Sequence, residues 1–147
     1  MPVFDDILNN AATPERFGPL EGFAGVLLCA SACDGHIGDE EGASMNLILG
    51  QKKLYERLTP HQFGSMVDRL IGLLKRGGPE RLLNKSYPAV PPELRGRVFA
   101  NAVDIVLADG KVEQEERESI DGLKGKLEID EKRAKTIVQV MVYKNHG

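Results

Sequence analysis

The chain has 147 residues, with 22 acidic side chains against 19 Lys and Arg and a formal net charge of -3. That length suits one domain with a real core, and the near-balanced charge offers no basic field for nucleic acid. No apolar run reaches the roughly 20 residues needed to span a bilayer. The opening MPVFDDILNN carries acids and no Lys or Arg, unlike a secretory signal. With only two cysteines there is no disulfide scaffold, so a reducing, cytoplasmic setting is expected.

Residues 1–19 read as an N-terminal arm, broken by Pro2, Pro14 and Pro19. From Leu20 to Cys33 the apolar residues Leu20, Phe23, Ala24, Leu27 and Leu28 recur at intervals of three and four, which predicts a well-buried helix ending at Asp34-Gly35. A second helix is expected from Gly38 or Asp39, with Met45, Ile48, Leu54, Tyr55 and Leu58 among its apolar positions. Thr59-Pro60 is a helix start: the hydroxyl caps free N–H groups, and proline at the first position loses no hydrogen bond. That helix is expected to end at Arg76-Gly77-Gly78. Residues 77–90 then read as a Gly/Pro-rich connector with one helical turn at Glu80 to Leu83. Pro92 opens a strongly apolar helix that Asp109-Gly110 stops. Another follows from Glu113 to Leu127, and Asp130 caps a last one, with Ala134, Ile137, Val138, Val140, Met141 and Val142 on its buried side. His146 falls in a tail expected to fray. No segment alternates with period two, so the chain reads as all-α, a bundle of about six to seven helices.

The two halves echo each other. Ala32-Cys33-Asp34-Gly35-His36-Ile37-Gly38-Asp39-Glu40-Glu41 aligns with Leu107-Ala108-Asp109-Gly110-Lys111-Val112-Glu113-Gln114-Glu115-Glu116. The shared skeleton is D-G-x-[IV]-x-x-E-E, and each copy sits between a buried helix and a second helix. This predicts two pseudo-symmetric three-helix halves, about 20–76 and 91–144, within a single domain covering 20–147. The doubled motif in an all-helical chain of this size resembles the TerB-like family of tellurite-resistance proteins, over roughly residues 20 to 144. The second copy is the closer match; the first has Cys33 where alanine is usual. The resemblance implies a helical fold, a role in tellurite or chemical-stress response, divalent-metal binding by acidic residues, action through protein partners, and no established enzymatic reaction.

The acidic turns admit two readings. In the structural one, Asp34 and Asp109 bond local backbone N–H groups, Gly35 and Gly110 supply positive φ, and the following glutamates complement the next helix dipole. In the other, Asp-Gly-x-Ile-x-x-x-Glu is the second half of an EF-hand loop. Asp34 with Glu40 and Glu41, and Asp109 with Glu113, Glu115 and Glu116, then ligate a hard cation such as Ca²⁺ or Mg²⁺. The first half of such a loop is missing: Ala30 and Ala32, or Ile105 and Leu107, stand where its first carboxylates belong. A true EF-hand is therefore excluded, and the ligand set must be looser.

Cys29 and Cys33 lie four apart on a predicted helix with His36 just beyond, which is an incomplete soft-metal pattern without a fourth ligand. Buried packing is the default for such thiols. His61 is expected at the surface in a first helical turn. Lys124, Lys126, Lys132, Arg133 and Lys135 read as solvated faces. The chain has no G-x-S-x-G, P-loop or H-E-x-x-H motif. The sequence thus points to a non-enzymatic, TerB-like stress protein; the alternative is a helical adaptor whose acidic turns are only structural.

Overall fold

Proline and glycine punctuate this chain, and the helices follow that punctuation. The computed structural model describes residues 18–31, 53–108 and 114–146. Among them are five α-helices and no strand: α1 (Pro19–Ser31), α2 (Pro60–Ser86), α3 (Pro92–Leu107), α4 (Gln114–Lys126) and α5 (Glu131–His146). Short 3-10 turns at Lys53–Tyr55 and Tyr87–Ala89 lead into α2 and α3. The predicted second helix, from Gly38 to Leu58, lies mostly outside the described residues; its described end is the Lys53–Tyr55 turn rather than α-helix, and the described residues hold five helices where the whole chain is expected to have six to seven.

α1 is the axis of the fold. Every residue from Gly22 to Ala30 is buried, which is the pattern of a helix covered on all sides. It packs against α2, α3, α4 and the Tyr87–Ala89 turn. Pro19 fills its first position, and the Glu21 carboxylate accepts from the Gly18 N–H at 3.2 Å, satisfying one of the free donors at the helix start. Tyr55 fastens the entry to α2 onto this axis: its hydroxyl donates to the Leu20 carbonyl at 2.7 Å, and its ring meets Phe23 and Phe63 edge-on at centroid distances of 6.4 and 5.5 Å.

α2 starts as its sequence predicts. Gln62 N–H donates to the Thr59 hydroxyl at 3.1 Å, while the Gln62 side chain accepts from the Thr59 N–H at 2.9 Å, forming a full capping box with Pro60 at the first position. It then breaks at Gly78, whose φ of 84° and ψ of 167° are non-helical. Pro79 restarts the helix, which runs to Ser86. The expected connector at 77–90 is therefore corrected. Only Gly78 breaks the helix, and two further turns follow because Leu82 and Ser86 are drawn into the core against α1. A Cβ on Gly25 would collide with Ser86, approaching its Cβ to 2.9 Å, and one on Gly22 would come within 2.9 Å of both the Ser86 carbonyl oxygen and the Ala89 Cβ. Bare glycine faces at these two positions let the backbones close up.

α3 supplies the other central surface through Val98, Phe99, Ala102, Val103 and Val106, all buried. α4 ends in a Schellman-type turn: Glu128 takes φ of 57°, its N–H donates to the Gly125 carbonyl at 3.2 Å, and the Ile129 N–H donates to the Lys124 carbonyl at 3.0 Å. Asp130 caps α5 by accepting from the Arg133 N–H at 2.8 Å. α5 is less buried than its sequence predicts. Only Ala134 is buried, Val142 is half-buried, and Val140 is 55% exposed. Five of its apolar residues crowd positions 137–142, more than one helical face can hold, and α5 has only α3 as a major neighbour. His146 is helical rather than frayed. Lys144 and Asn145 hold this end of α5 to the Asp104 carboxylate of α3, at 3.0 and 2.8 Å.

Candidate functional site

Helices α1 and α3 end at Ser31 and Leu107, shortly before the two acidic motifs in the sequence, and they pack against each other. Each is held there by the apolar run that the sequence shows. Of the predicted cation ligands, Asp34, Glu40, Glu41, Asp109 and Glu113 lie outside the described residues. Glu115 and Glu116 are in the first turn of α4, the former exposed and the latter half-buried. Their carboxylates sit at the positive end of that helix dipole. Among the described residues no group of three or more His, Cys, Asp or Glu side chains is arranged to hold a metal ion.

Cys33 and His36 also lie outside the described residues, but Cys29 can be read. It is buried on α1, its thiol donates to the Pro79 carbonyl at 3.3 Å, and burial pushes its pKa up to about 12. A thiol so placed is protonated at neutral pH and is a poor nucleophile and metal ligand. It lies at the wall of a cavity of about 270 Å³ shared with Glu80, Glu118 and Lys126. His61 is exposed in the first turn of α2, as its place after Thr59-Pro60 predicts.

The predicted solvated basic faces are partly engaged. Lys124 reaches Glu131 at 2.7 Å, and Lys126 reaches the Asn84 side chain at 3.0 Å with its ammonium 5.1 Å from the Tyr87 ring centroid. The Lys124–Glu131 pair raises the lysine pKa and lowers the glutamate pKa, chiefly through the shared hydrogen bond. This pair rims a cavity of about 360 Å³ between α3, α4 and α5, floored by Phe99, Ile120, Ala134 and Val138.

One cluster escapes a reading by segments. Arg76, Arg81 and Lys85 line a single cleft on α2 beside Gly77. In the sequence Arg76 reads as a helix end and Arg81 as part of a connector, so nothing there joins them. The available signal is the Gly77-Gly78-Pro79 break flanked by arginines, which shifts the helical phase between them.

No protein-family profile matches this chain, and no curated protein and no solved structure matches it either. No helix among the described residues is long and apolar enough to cross a membrane.

Proposed function

We propose that this chain is a non-enzymatic, TerB-like protein of tellurite or chemical-stress response, built as two related helical halves. Its acidic turns take a divalent cation, Ca²⁺ or Mg²⁺, and it acts through protein partners in the cytoplasm. The observation that carries this reading is the packing of the two helices that precede the motif in the sequence. The two helices that precede Asp34-Gly35 and Asp109-Gly110 in the sequence pack against each other, and the first is buried from Gly22 to Ala30. Carboxylates crowded into such a motif repel one another, and a divalent ion relieves that repulsion. The exposed Val140 and Tyr143 on α5, at 55% and 86%, support a protein partner in preference to a catalytic role.

The second reading, a helical adaptor with purely structural turns, draws on Glu115 and Glu116, whose place in the first turn of α4 suits dipole compensation. Thermal unfolding with and without Ca²⁺ and Mg²⁺ separates the two. A cation that binds only the folded chain raises Tm with concentration. Cation binding predicts such a rise at millimolar metal, and an unmoved Tm leaves the structural turns.

A further inference from the structure

We propose that this chain pairs with a second copy of itself through α5, in a two-fold dimer where Tyr143 of each copy enters the groove between α4 and α5 of the other. The inference rests on the protein-partner part of the proposed function, for which it names the partner, and is independent of cation binding by the turns.

α5 carries its charges toward its ends. Glu131, Lys132, Arg133 and Lys135 precede position 136, Lys144 follows position 143, and the stretch 136–143 between them holds none. Within that stretch Thr136, Gln139, Val140 and Tyr143 recur at intervals of three and four, and all four are exposed, Tyr143 at 86%. They form one uncharged strip on the outer side of the helix. The Thr136 hydroxyl donates to the Lys132 carbonyl at 3.1 Å, so its donor is satisfied within the helix. Several of the end charges are engaged elsewhere. Glu131 pairs with Lys124 and Lys144 with Asp104, while Arg133 lies over Gly96 of α3, its Cζ 3.0 Å from where a Cβ there would stand.

The groove beside this strip supplies the other half of the contact. It holds about 360 Å³ over a floor of Phe99, Ile120, Ala134 and Val138, and Lys135 and Gln139 are part of its α5 wall. Gln139 thus belongs to both groove and strip, and Tyr143 stands about one helical turn beyond it. A two-fold interface needs both halves of the contact on the same surface of one chain, and α5 presents a protruding aromatic ring next to an apolar groove. Tyrosine suits that groove: its ring matches the floor, and its hydroxyl can donate to the Asp121 or Glu131 carboxylate at the rim.

The register follows from helix geometry. An antiparallel pair of α5 helices with its axis between Gln139 and Val140 brings Tyr143 level with Thr136 of the second copy, beside the groove wall from Lys135 to Gln139. Val140 comes level with Gln139 of the second copy. Lys135 comes level with Lys144 of the second copy, whose charge Asp104 offsets. An α5 strip of about 24 Å by about 12 Å is smaller than the roughly 800 Å² per copy of a standard interface, so the dimer is weak, with Kd on the order of 100 µM.

The test is sedimentation of the full chain in EDTA from about 10 µM to about 1 mM; the chelator keeps the result separate from that of the cation site. A reversible shift from monomer to dimer is expected. Val140→Asp and Val140→Lys each set like charges together near the axis, so each alone should stay monomeric while an equal mixture pairs. Tyr143→Ser should weaken the dimer by about tenfold. Isotope-filtered NMR on a mixed sample should show contacts from the Tyr143 ring of one copy to the Ile120 and Val138 methyls of the other. A dimer that Val140→Asp leaves intact, or intermolecular contacts at another surface, would overturn the proposal. So would a chain that is monomeric throughout that range; if its Tm still rises with Ca²⁺, the self-pairing alone falls and the proposed function stands.

Discussion

Helices α1 and α5 are both rich in apolar residues, yet they end in opposite situations. α1 is buried from Gly22 to Ala30 with no break, whereas α5 buries one residue and leaves Val140 and Tyr143 in the open. Composition separates them in part, since α1 carries a single charged residue, Glu21, while α5 carries Glu131, Lys132, Arg133, Lys135 and Lys144; the size of the residues that neighbours must approach adds to the difference. α1 carries Gly22 and Gly25 where Ser86 and Ala89 come against its backbone, so it can be enclosed. α5 itself carries no glycine and lies on one side of α3, where Gly96 faces the long, flexible Arg133 side chain rather than backbone. An apolar stripe therefore shows that a helix packs, but the small residues show how completely it is surrounded.

The sharpest break of this comparison is a pair of truncations. Leu27→Ala, at a fully buried position, should cost about 3–5 kcal/mol because a cavity remains. Val140→Ala should stay within about 0.5 kcal/mol. Urea unfolding of both variants checks the contrast, and comparable losses would mean that α5 is as enclosed as α1.

Gly25→Ala comes next. Its added methyl meets Ser86 with no room, so the helices must separate, at about 1–3 kcal/mol. The same measurement checks it; a neutral result would show that the seam is loose.

The enclosure of α1 also has a pH signature. Cys29 is raised to about 12 by burial, and Tyr55 is raised further, by burial first and then by the Glu21 carboxylate. Both groups are neutral in both states at pH 7. As pH climbs past the unfolded thiol value near 9, the unfolded chain ionises while the folded chain does not. Stability is thus intact below about pH 9 and falls toward pH 12. Cys29→Ala should flatten the first part of that fall and Tyr55→Phe the later part, in denaturant melts taken across the alkaline range.

The smallest effect lies near the loosely held end of the fold. Glu128→Gly relieves a left-handed backbone at φ 57° and gives up only an exposed contact to Arg95 at 3.2 Å. A gain of about 1 kcal/mol is expected, read as a higher denaturation midpoint; a loss would mean that the Arg95 contact outweighs the strain.

Much of the fold was legible because local chemistry and tertiary packing agree. Thr59-Pro60 with Gln62, Pro92 and Asp130 each start a helix for reasons contained within four residues. The all-helical character followed from spacing alone. The span 77–90 was misread as connector because glycine and proline mark a break without saying how short it is. What continues the helix to Ser86 is the long-range fit of Leu82 and Ser86 against α1, which no local window contains. For the same reason the Arg76–Arg81–Lys85 cleft was invisible, since it exists only once the helical phase is reset. The expected burial of Val140 failed because periodicity gives a face and not its neighbour. The repeated Asp34-Gly35 and Asp109-Gly110 motif is a pattern of the sequence, and apart from Glu115 and Glu116 its acidic residues lie outside the described ones.

The proposed cation site is tested most directly by isothermal titration of Ca²⁺ into the wild-type chain, Asp34→Ala and Asp109→Ala. The second turn carries Glu113 where the first has Gly38, so it should bind more tightly. A saturable heat in the wild type, largely retained in Asp34→Ala and lost in Asp109→Ala, is the expected result. No heat at millimolar Ca²⁺, or equal heats in all three proteins, would contradict cation binding at these turns and leave them as helix caps.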